Sequence, residues 1–187
     1  HRVKNSLATA QSIVNQTLRG AADLESARTA ASARIVALAE AHDLLTERSW
    51  AGADVADLVA RAVAPFPAGQ ISVGGPSLDV LPNQALALSL ALHELATNAA
   101  KYGALSTPQG RVSLTWRFQG QGGTRRLQLA WRENDGPPVQ PPARLGFGSR
   151  LIEKGLKAEL RARVLVDYAP GGLTMSLDAP MPDAPSD

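Results

Sequence analysis

Apolar side chains recur every three or four residues through the first 64 positions, which is the spacing of one helix face. Two stretches show this pattern on either side of a break at residues 20–23: Val3, Leu7, Ala10, Val14 and Leu18, then Ala31, Ile35, Leu38, His42 and Leu45. The pattern predicts an antiparallel helical hairpin. Because two helices cannot bury such a seam alone, we expect the hairpin to dimerise into a four-helix bundle or to pack on the rest of the chain.

The rest of the chain switches between helix and strand patterns. A short amphipathic helix over 54–64 ends at a Pro-Phe-Pro sequence, and a long Leu/Ala helix begins near Pro82 and ends near Gly103. Strands are predicted at 71–73, 111–118, 126–131, 163–167 and 173–177, with another helix at 149–158. A mobile loop is expected at 136–148 and a disordered tail at 180–187. The pattern therefore predicts an α+β protein, with a helical hairpin over 1–64 followed by an α/β sandwich over 68–179.

Composition narrows the possible functions. The 187 residues include no cysteine, which excludes disulfides, a thiol nucleophile and thiolate zinc sites. The formal net charge of +2 comes without a polybasic run, so nucleic-acid binding has no support. No apolar stretch approaches the length of a membrane span, and there is no signal-peptide pattern. Because the chain opens at His1 inside a helical pattern, we expect a piece of a longer cytoplasmic protein, with any sensory or membrane segment upstream.

Three polar side chains interrupt the long Leu/Ala helix. Glu94, Asn98 and Lys101 share a wedge of the helical wheel about 60° wide, separate from the apolar stripe. Carboxylate, amide and ammonium groups one turn apart suit Mg²⁺ and phosphate, because oxygen ligands hold the hard cation and lysine balances anionic charge. Tyr102 at the edge of the wedge offers a flat surface for a base or ribose. Spacing alone does not distinguish this polar wedge from an ordinary solvated helix face.

Two later segments add to the polar wedge. Residues 131–139, with the sequence WRENDGPPV, end a strand with acidic and amide groups that can accept a hydrogen bond from an exocyclic amine. Residues 146–149, with the sequence GFGS, open a helix, and free backbone amides at a helix N-terminus bind phosphate. That second pattern is frequent and often structural. It is not a Walker A loop, because the Gly-Lys-Ser/Thr ending is missing.

Together the three segments resemble, in order and spacing, the N, G1 and G2 boxes of the histidine-kinase ATP-binding (Bergerat) fold. His93 in the first box and Trp131-x-Glu133 in the second are similar to the signature of the HWE family of bacterial sensor histidine kinases. Residues 1–5, HRVKN, resemble that family's phosphoacceptor box, and residues 41–45, AHDLL, resemble its second hairpin helix. The resemblance runs from His1 to about Leu177, nearly the whole chain.

The resemblance implies a sensor histidine kinase core that binds ATP with Mg²⁺, phosphorylates itself on His1 and passes the phosphoryl group to a response regulator. It also implies an upstream sensor domain in the same chain and a homodimer formed through the hairpin. Asn98 and Glu94 would hold Mg²⁺, and Glu94 is also a candidate for removing the imidazole proton. The other implied ATP contacts are Lys101, Tyr102, Glu133, Asn134, Asp135, Gly136, Gly146, Phe147, Gly148 and Leu151, with a lid within 134–149.

The sequence leaves some assignments open. The Gly-Pro turn aligns Asn134 with the adenine-reading aspartate of the general fold, and Glu133 and Asp135 flank it, so each of the three is a candidate. His93 lies outside the polar wedge, and we expect it to support the fold or the lid. Two other functions compete with the kinase: a phosphotransfer or docking module with a degenerate ATP domain, and an ATPase of the same fold that uses water instead of histidine.

Overall fold

The computed structural model describes residues 2–141 and 147–181. The helices are α1 (Arg2–Gly20), α2 (Leu24–Glu47), α3 (Val55–Val63), α4 (Pro82–Tyr102), α5 (Phe147–Arg150) and α6 (Leu156–Leu160). The strands are β1 (Ala53–Asp54), β2 (Ile71–Gly74), β3 (Asp79–Val80), β4 (Arg111–Gln119), β5 (Arg126–Asn134), β6 (Arg163–Ala169) and β7 (Gly172–Pro180). A π-helical turn, Leu151–Gly155, joins α5 to α6. Helices with a mixed sheet confirm the predicted α+β class.

A five-stranded sheet forms one layer of the fold. The strands lie in the order β2-β4-β5-β7-β6; β2 runs parallel to β4, and every other neighbouring pair is antiparallel. Alternation along β5 buries Leu127, Leu129, Trp131 and Glu133 on one side and leaves the residues between them half-buried or exposed. The carboxylate of Glu133 therefore enters the apolar layer, at the end of the strand.

Helix α4 is the central element, and it confirms the predicted long Leu/Ala helix. Pro82 occupies its first turn, and the side chain of Gln84 accepts a hydrogen bond from the backbone N–H of Leu81 at 3.0 Å. Its apolar side chains pack in the main core with the sheet and in a second cluster with the hairpin. Because α4 ends at Tyr102, the polar wedge lies at its C-terminal end.

The hairpin packs on α4, which is one of the two arrangements expected for it. Ile13 of α1 and Ala37 and Leu38 of α2 form a buried cluster with Leu90 of α4. Leu151, from the π-helical turn, packs against the same cluster. The hairpin is thereby fixed beside the end of α4 that carries the polar wedge.

The seam predicted for the hairpin is only partly right. Leu7 and Leu18 of α1 are 65% and 51% exposed, and Ile35 of α2 is 40% exposed. On α1, Ile13 and Thr17 are buried instead. The face of α1 turned toward α4 carries Ile13 and Thr17, and the Thr17 hydroxyl accepts a hydrogen bond from Arg34, the partner of Glu94 on α4. The apolar stripe through Leu7 and Leu18 is left exposed.

The last strand extends beyond the predicted end of the sandwich. β7 runs to Pro180, and Met181 is buried. Residues 182–187, the rest of the predicted tail, lie outside the described part of the chain, as do residues 142–146 of the predicted loop. Within the described residues, no helix combines the length and the apolar character that crossing a membrane requires.

Candidate functional site

A cleft of about 890 Å³ lies where the hairpin, the C-terminal end of α4 and the start of α5 meet. Its walls also include residues 138–140, after β5, and side chains of β6 and β7. A volume of this size is typical of a site for a small molecule. The cleft is therefore the candidate functional site of the described residues.

The polar wedge of α4 lines this cleft. Asn98 is half-buried, and Lys101 is exposed beside it. Tyr102 also lines the cleft and is 73% exposed, so one face of its ring is available to a ligand. An amide oxygen, an ammonium group and a flat ring on one wall suit a phosphate-bearing ligand with an aromatic part.

Glu94, the third member of the polar wedge, is held in a buried ion pair with the hairpin. Its Oε1 accepts Nε–H of Arg34 at 2.5 Å, and its Oε2 accepts Nη2–H at 2.9 Å. The Nη1–H group of the same guanidinium donates to the Thr17 hydroxyl at 2.8 Å. The two charged side chains are only 12% and 6% exposed. In this arrangement both oxygens of the carboxylate are engaged by α2, and this contact joins the hairpin to the site.

Glu133 is buried at the edge of the cleft and is also fully engaged. Its Oε1 accepts the indole N–H of Trp131 at 3.1 Å, and its Oε2 accepts the backbone N–H of Ala104 at 2.8 Å. Burial raises the pKa of this carboxyl above its ordinary value, and the two hydrogen bonds act in the opposite direction. The Trp-x-Glu motif thus ties the end of β5 to the turn that follows α4.

His93 lines the cleft next to Glu94 and is half-buried. Its Nε2 lies 3.5 Å from the hydroxyl oxygen of Thr97, one turn along α4. Burial lowers the pKa of the imidazole below its ordinary value of 6.5, because the charged form loses solvation; nearby Glu94 acts in the opposite direction. The expectation that His93 supports the fold stays a prediction.

The lowered pKa of His93 has a testable consequence for stability. Below pH 6.5 the unfolded state binds a proton that the folded imidazole resists, so the free energy of unfolding falls as the pH falls through that value. We expect His93→Gln to reduce this loss when urea unfolding is compared at about pH 7.5 and about pH 5.5. An equal loss in both proteins would show that His93 does not contribute. The two proteins should differ in this loss of stability by at most about 1.4 kcal/mol for each unit by which folding lowers the pKa of His93.

The remaining candidates differ in where the structure places them. Gly148 lines the cleft at the start of α5, whereas Asn134 and Asp135 are exposed and lie outside the lining residues, as does Gly136. Leu151 packs on the hairpin rather than in the cleft. The two candidates His1 and Gly146 lie outside the described residues, and of Phe147 only the backbone is described.

The donor set of the cleft fits a metal ion that arrives with a phosphate ligand. Among the described residues, no group of three or more histidine and acidic side chains could form a metal cage. Asn98 offers one amide oxygen, and Glu94 is occupied by Arg34. Magnesium is commonly held by one or two protein oxygens together with substrate phosphates and water. The residues present are consistent with that mode.

Arg34 is the main site residue that the sequence analysis missed. It comes from α2, 60 residues before its partner Glu94. A usable signal existed: Arg34 lies at helical spacing within a stripe of small residues that includes Ala27, Ala37 and Ala41, all buried. A charged residue on a buried stripe of this kind predicts a paired partner, because an unpaired buried charge is too costly.

Comparison with known proteins identifies relatives of the chain. Residues 1–77 match the sequence profile of the family described as HWE histidine kinase. Over 184 residues, 97% of this chain, the sequence is 46% identical to the blue-light-activated histidine kinase of Brucella ovis. It is 44% identical, over the same length, to the protein of that name from Brucella anthropi. The chain spans 38% of the length of each of these curated relatives.

Solved structures share the fold. The histidine kinase domain of a blue-light activated histidine kinase from Erythrobacter litoralis superposes with a TM-score of 0.60 at 22% identity, covering 81% of this chain and 74% of that one. A larger structure of that Erythrobacter litoralis protein gives a TM-score of 0.68 at 16% identity, covering 96% of this chain and 59% of that one. The family profile and the identity to the Brucella proteins, with the Trp-x-Glu motif in place, show that this chain belongs to the HWE histidine kinase family.

Proposed function

We propose that this chain is the phosphoacceptor and ATP-binding core of a sensor histidine kinase. It binds ATP with Mg²⁺ in the cleft, transfers the γ-phosphoryl group to His1 and passes it to an aspartate of a response regulator. One observation carries the proposal: the polar wedge of α4 shares one cleft with the turn end of the hairpin, Thr17 to Arg34, so a nucleotide bound there would contact the element that carries His1. We assign residues 1–64 to the acceptor part and 68–179 to the ATP-binding part.

The side chains of α4 would receive the nucleotide. The ammonium of Lys101 would balance phosphate charge, Asn98 would supply an oxygen ligand to Mg²⁺, and Tyr102 would contact the base or ribose. When bound, Mg²⁺ neutralises the charge on the phosphate oxygens. We assign the exocyclic amine of adenine to Asn134 or Asp135, which are exposed just outside the lining of the cleft. Glu133 is only 4% exposed, and its two oxygens already accept hydrogen bonds from Ala104 and Trp131.

Transfer to histidine needs a base for one proton. An imidazole nitrogen of His1 bonds to the γ-phosphorus while the bond from that phosphorus to the β–γ bridging oxygen breaks and ADP leaves. The imidazole ring loses one proton, and Glu94 is the acceptor that we propose. Arg34 holds both oxygens of Glu94, and Thr17 beside them lies about 22 Å along α1 from Arg2. This role therefore requires the release of Arg34 and a movement that brings His1, of the same chain or of a second copy, to Glu94.

The exposed stripe of α1 supports a homodimer as the working assembly. Leu7 and Leu18 lie about 20° apart on the helical wheel, and both are exposed. A second copy of the chain that covers this stripe would complete the four-helix bundle expected from the sequence. The relatives named as blue-light-activated kinases support an upstream sensor domain in the whole protein, and a response regulator is the partner that would receive the phosphoryl group.

Labelling with γ-³²P ATP and Mg²⁺ tests the proposal in a chain that extends upstream of His1. We expect acid-labile, base-stable label that disappears in both His1→Ala and Asn98→Ala, because one removes the acceptor and the other the metal ligand. Label that persists in His1→Ala would refute transfer to His1 and indicate another acceptor residue. Release of labelled phosphate that is unaffected by His1→Ala, without label on the protein, would indicate an ATPase. Nucleotide binding without label would indicate a docking module. The molar mass of the same sample in solution, monomer or dimer, decides the assembly.

A further inference from the structure

The buried carboxylate of Glu133 has no cationic partner among the described residues, although it is only 4% exposed. It accepts instead from two neutral donors, the Trp131 indole N–H and the Ala104 backbone N–H. A buried charge is costly unless hydrogen bonds compensate it. A carboxylate at this buried position therefore points to a structural role that depends on its two acceptor oxygens.

The turn after α4, whose Ala104 N–H donates to Glu133, is tightly packed. A Cβ atom at Gly103 would lie 2.0 Å from Glu133 Oε2, so only glycine fits beneath the carboxylate. A Cβ atom at Gly136 would lie 2.6 Å from the Cα of Ala104. Gly136 belongs to the turn after β5, and Ala104 follows α4 by two residues. The turn after β5 and the turn after α4 are therefore in direct contact through Ala104.

These two turns flank the proposed nucleotide site. The end of α4 carries Lys101 and Tyr102; Asn134 is the last residue of β5, and Asp135 begins the turn after it. We propose that Glu133 is a positioning residue that fixes the turn after α4 against the turn after β5, with Trp131 fixing the carboxylate in turn. This inference rests on the proposed function for its consequence, nucleotide affinity, but its structural content does not depend on nucleotide.

The two N–H donors, from Ala104 and Trp131, restrict which side chain can occupy position 133. Both carboxylate oxygens face N–H donors, so the side chain must present two acceptors. Glutamine offers one oxygen and one NH₂ group. In either orientation of the amide, an N–H group meets an N–H donor, and one hydrogen bond is lost. Glu133→Gln, although nearly identical in shape, is therefore expected to release the Ala104 amide or to displace Trp131.

Trp131→Phe supplies the matched background, because phenylalanine removes the indole donor and leaves an aromatic ring. In that background the amide NH₂ of glutamine no longer faces a donor, and its oxygen can accept from Ala104. We therefore expect Trp131→Phe/Glu133→Gln to recover the contact that Glu133→Gln alone loses. The volume lost at position 131 is common to the single variant Trp131→Phe and the double variant, and it cancels in the comparison.

Amide hydrogen exchange at Ala104 in the 187-residue chain tests the contact directly. We expect exchange to be faster by about tenfold or more in Glu133→Gln, the factor for one buried hydrogen bond, and to return in the double variant to the Trp131→Phe rate. The amide of Leu129, in the middle of β5, serves as the control, and its exchange rate should not change in parallel with that of Ala104. An unchanged Ala104 amide in Glu133→Gln, or a double variant as fast as that single variant, would overturn the inference.

Binding of trinitrophenyl-ATP to the same four proteins tests the consequence. Glu133→Gln should raise Kd by about tenfold, and the double variant should bind better than Glu133→Gln alone. An altered Ala104 exchange with equal Kd in all four proteins would reject the positioning role. If the unsubstituted chain binds no nucleotide, the proposed function fails, and the exchange pattern still decides whether Glu133 fixes the turn.

Discussion

Arg34→Met is expected to lower the free energy of unfolding by about 3 to 5 kcal/mol, the usual cost of removing one partner from a buried ion pair. The carboxylate of Glu94 would remain only 6% exposed with its cation gone. Methionine is the suitable replacement because it is unbranched and fills the space of the arginine stem. Urea unfolding followed by circular dichroism measures the change.

The chain offers a matched control on the same helix. Arg28 pairs with Glu25 at 2.5 Å, but the two side chains are 68% and 73% exposed, so solvent already screens that pair. Arg28→Met should therefore cost far less stability than Arg34→Met. A loss in Arg34→Met no larger than the loss in Arg28→Met would mean that the buried pair does not hold the hairpin to α4.

Removing both charges separates the effect of Glu94 on stability from its proposed role in phosphoryl transfer. In Arg34→Met/Glu94→Leu no charge is left buried, so we expect most of the lost stability to return, because a buried pair replaced by apolar groups is often neutral. Under the proposed function this stable protein remains unable to label His1, since Glu94 is the base. Full labelling of the double variant would remove Glu94 from the mechanism and leave it a purely structural role.

The contrast between Arg34 and Asn98 explains what the sequence could predict about the site. Asn98 and Lys101 belong to one helix, and helical periodicity alone places them on one side of it. The partner of Glu94 lies on another helix, 60 residues away, and periodicity within a segment carries no information on which helices meet. The position of Arg34 on a stripe of small residues predicts only that some partner exists.

Periodicity also explains which elements of the fold the sequence could predict. Long periodic segments such as α4, β4 and β5 were predicted closely, because their period is set by burial on one face. The two-residue strands β1 and β3 were missed, since two residues have no period. On α1 the apolar spacing predicts a seam through Leu7 and Leu18, whereas the structure buries Ile13 and Thr17. Spacing identified an apolar face but not the surface that would cover it.

The role of Glu133 shows a third limit. Its residue type suggested contact with a ligand, and its donors turned out to be an indole and a backbone amide. The backbone N–H of Ala104 is invisible to any reading based on residue types, because every residue except proline has one. Only the close approach of two turns, at Gly103 and Gly136, makes that amide the partner.

Gly148→Ala is expected to weaken nucleotide binding and to lower the free energy of unfolding by about 1 to 3 kcal/mol, as overpacking of a buried site does. Gly148 is buried at the start of α5, and a Cβ atom there would lie 2.3 Å from Oε2 of Glu94. The carboxylate cannot move aside freely, because Arg34 holds both of its oxygens. The new methyl group must therefore displace either α5 or the ion pair, and both border the cleft.

The position of the clash predicts which second substitution relieves it. In Glu94→Ala the obstructing oxygen is absent, so adding Gly148→Ala to that background should cost much less than adding it to the unsubstituted chain. Gly171→Ala is the control, because no atom lies within 4 Å of its Cβ position, and it should stay within about 0.5 kcal/mol. An equal cost of Gly148→Ala in both backgrounds would show that Glu94 does not set the space beneath α5. Coupling between the two positions would instead mean that one carboxylate links the hairpin, α4 and α5, so that a shift of the hairpin reaches the nucleotide site through Glu94.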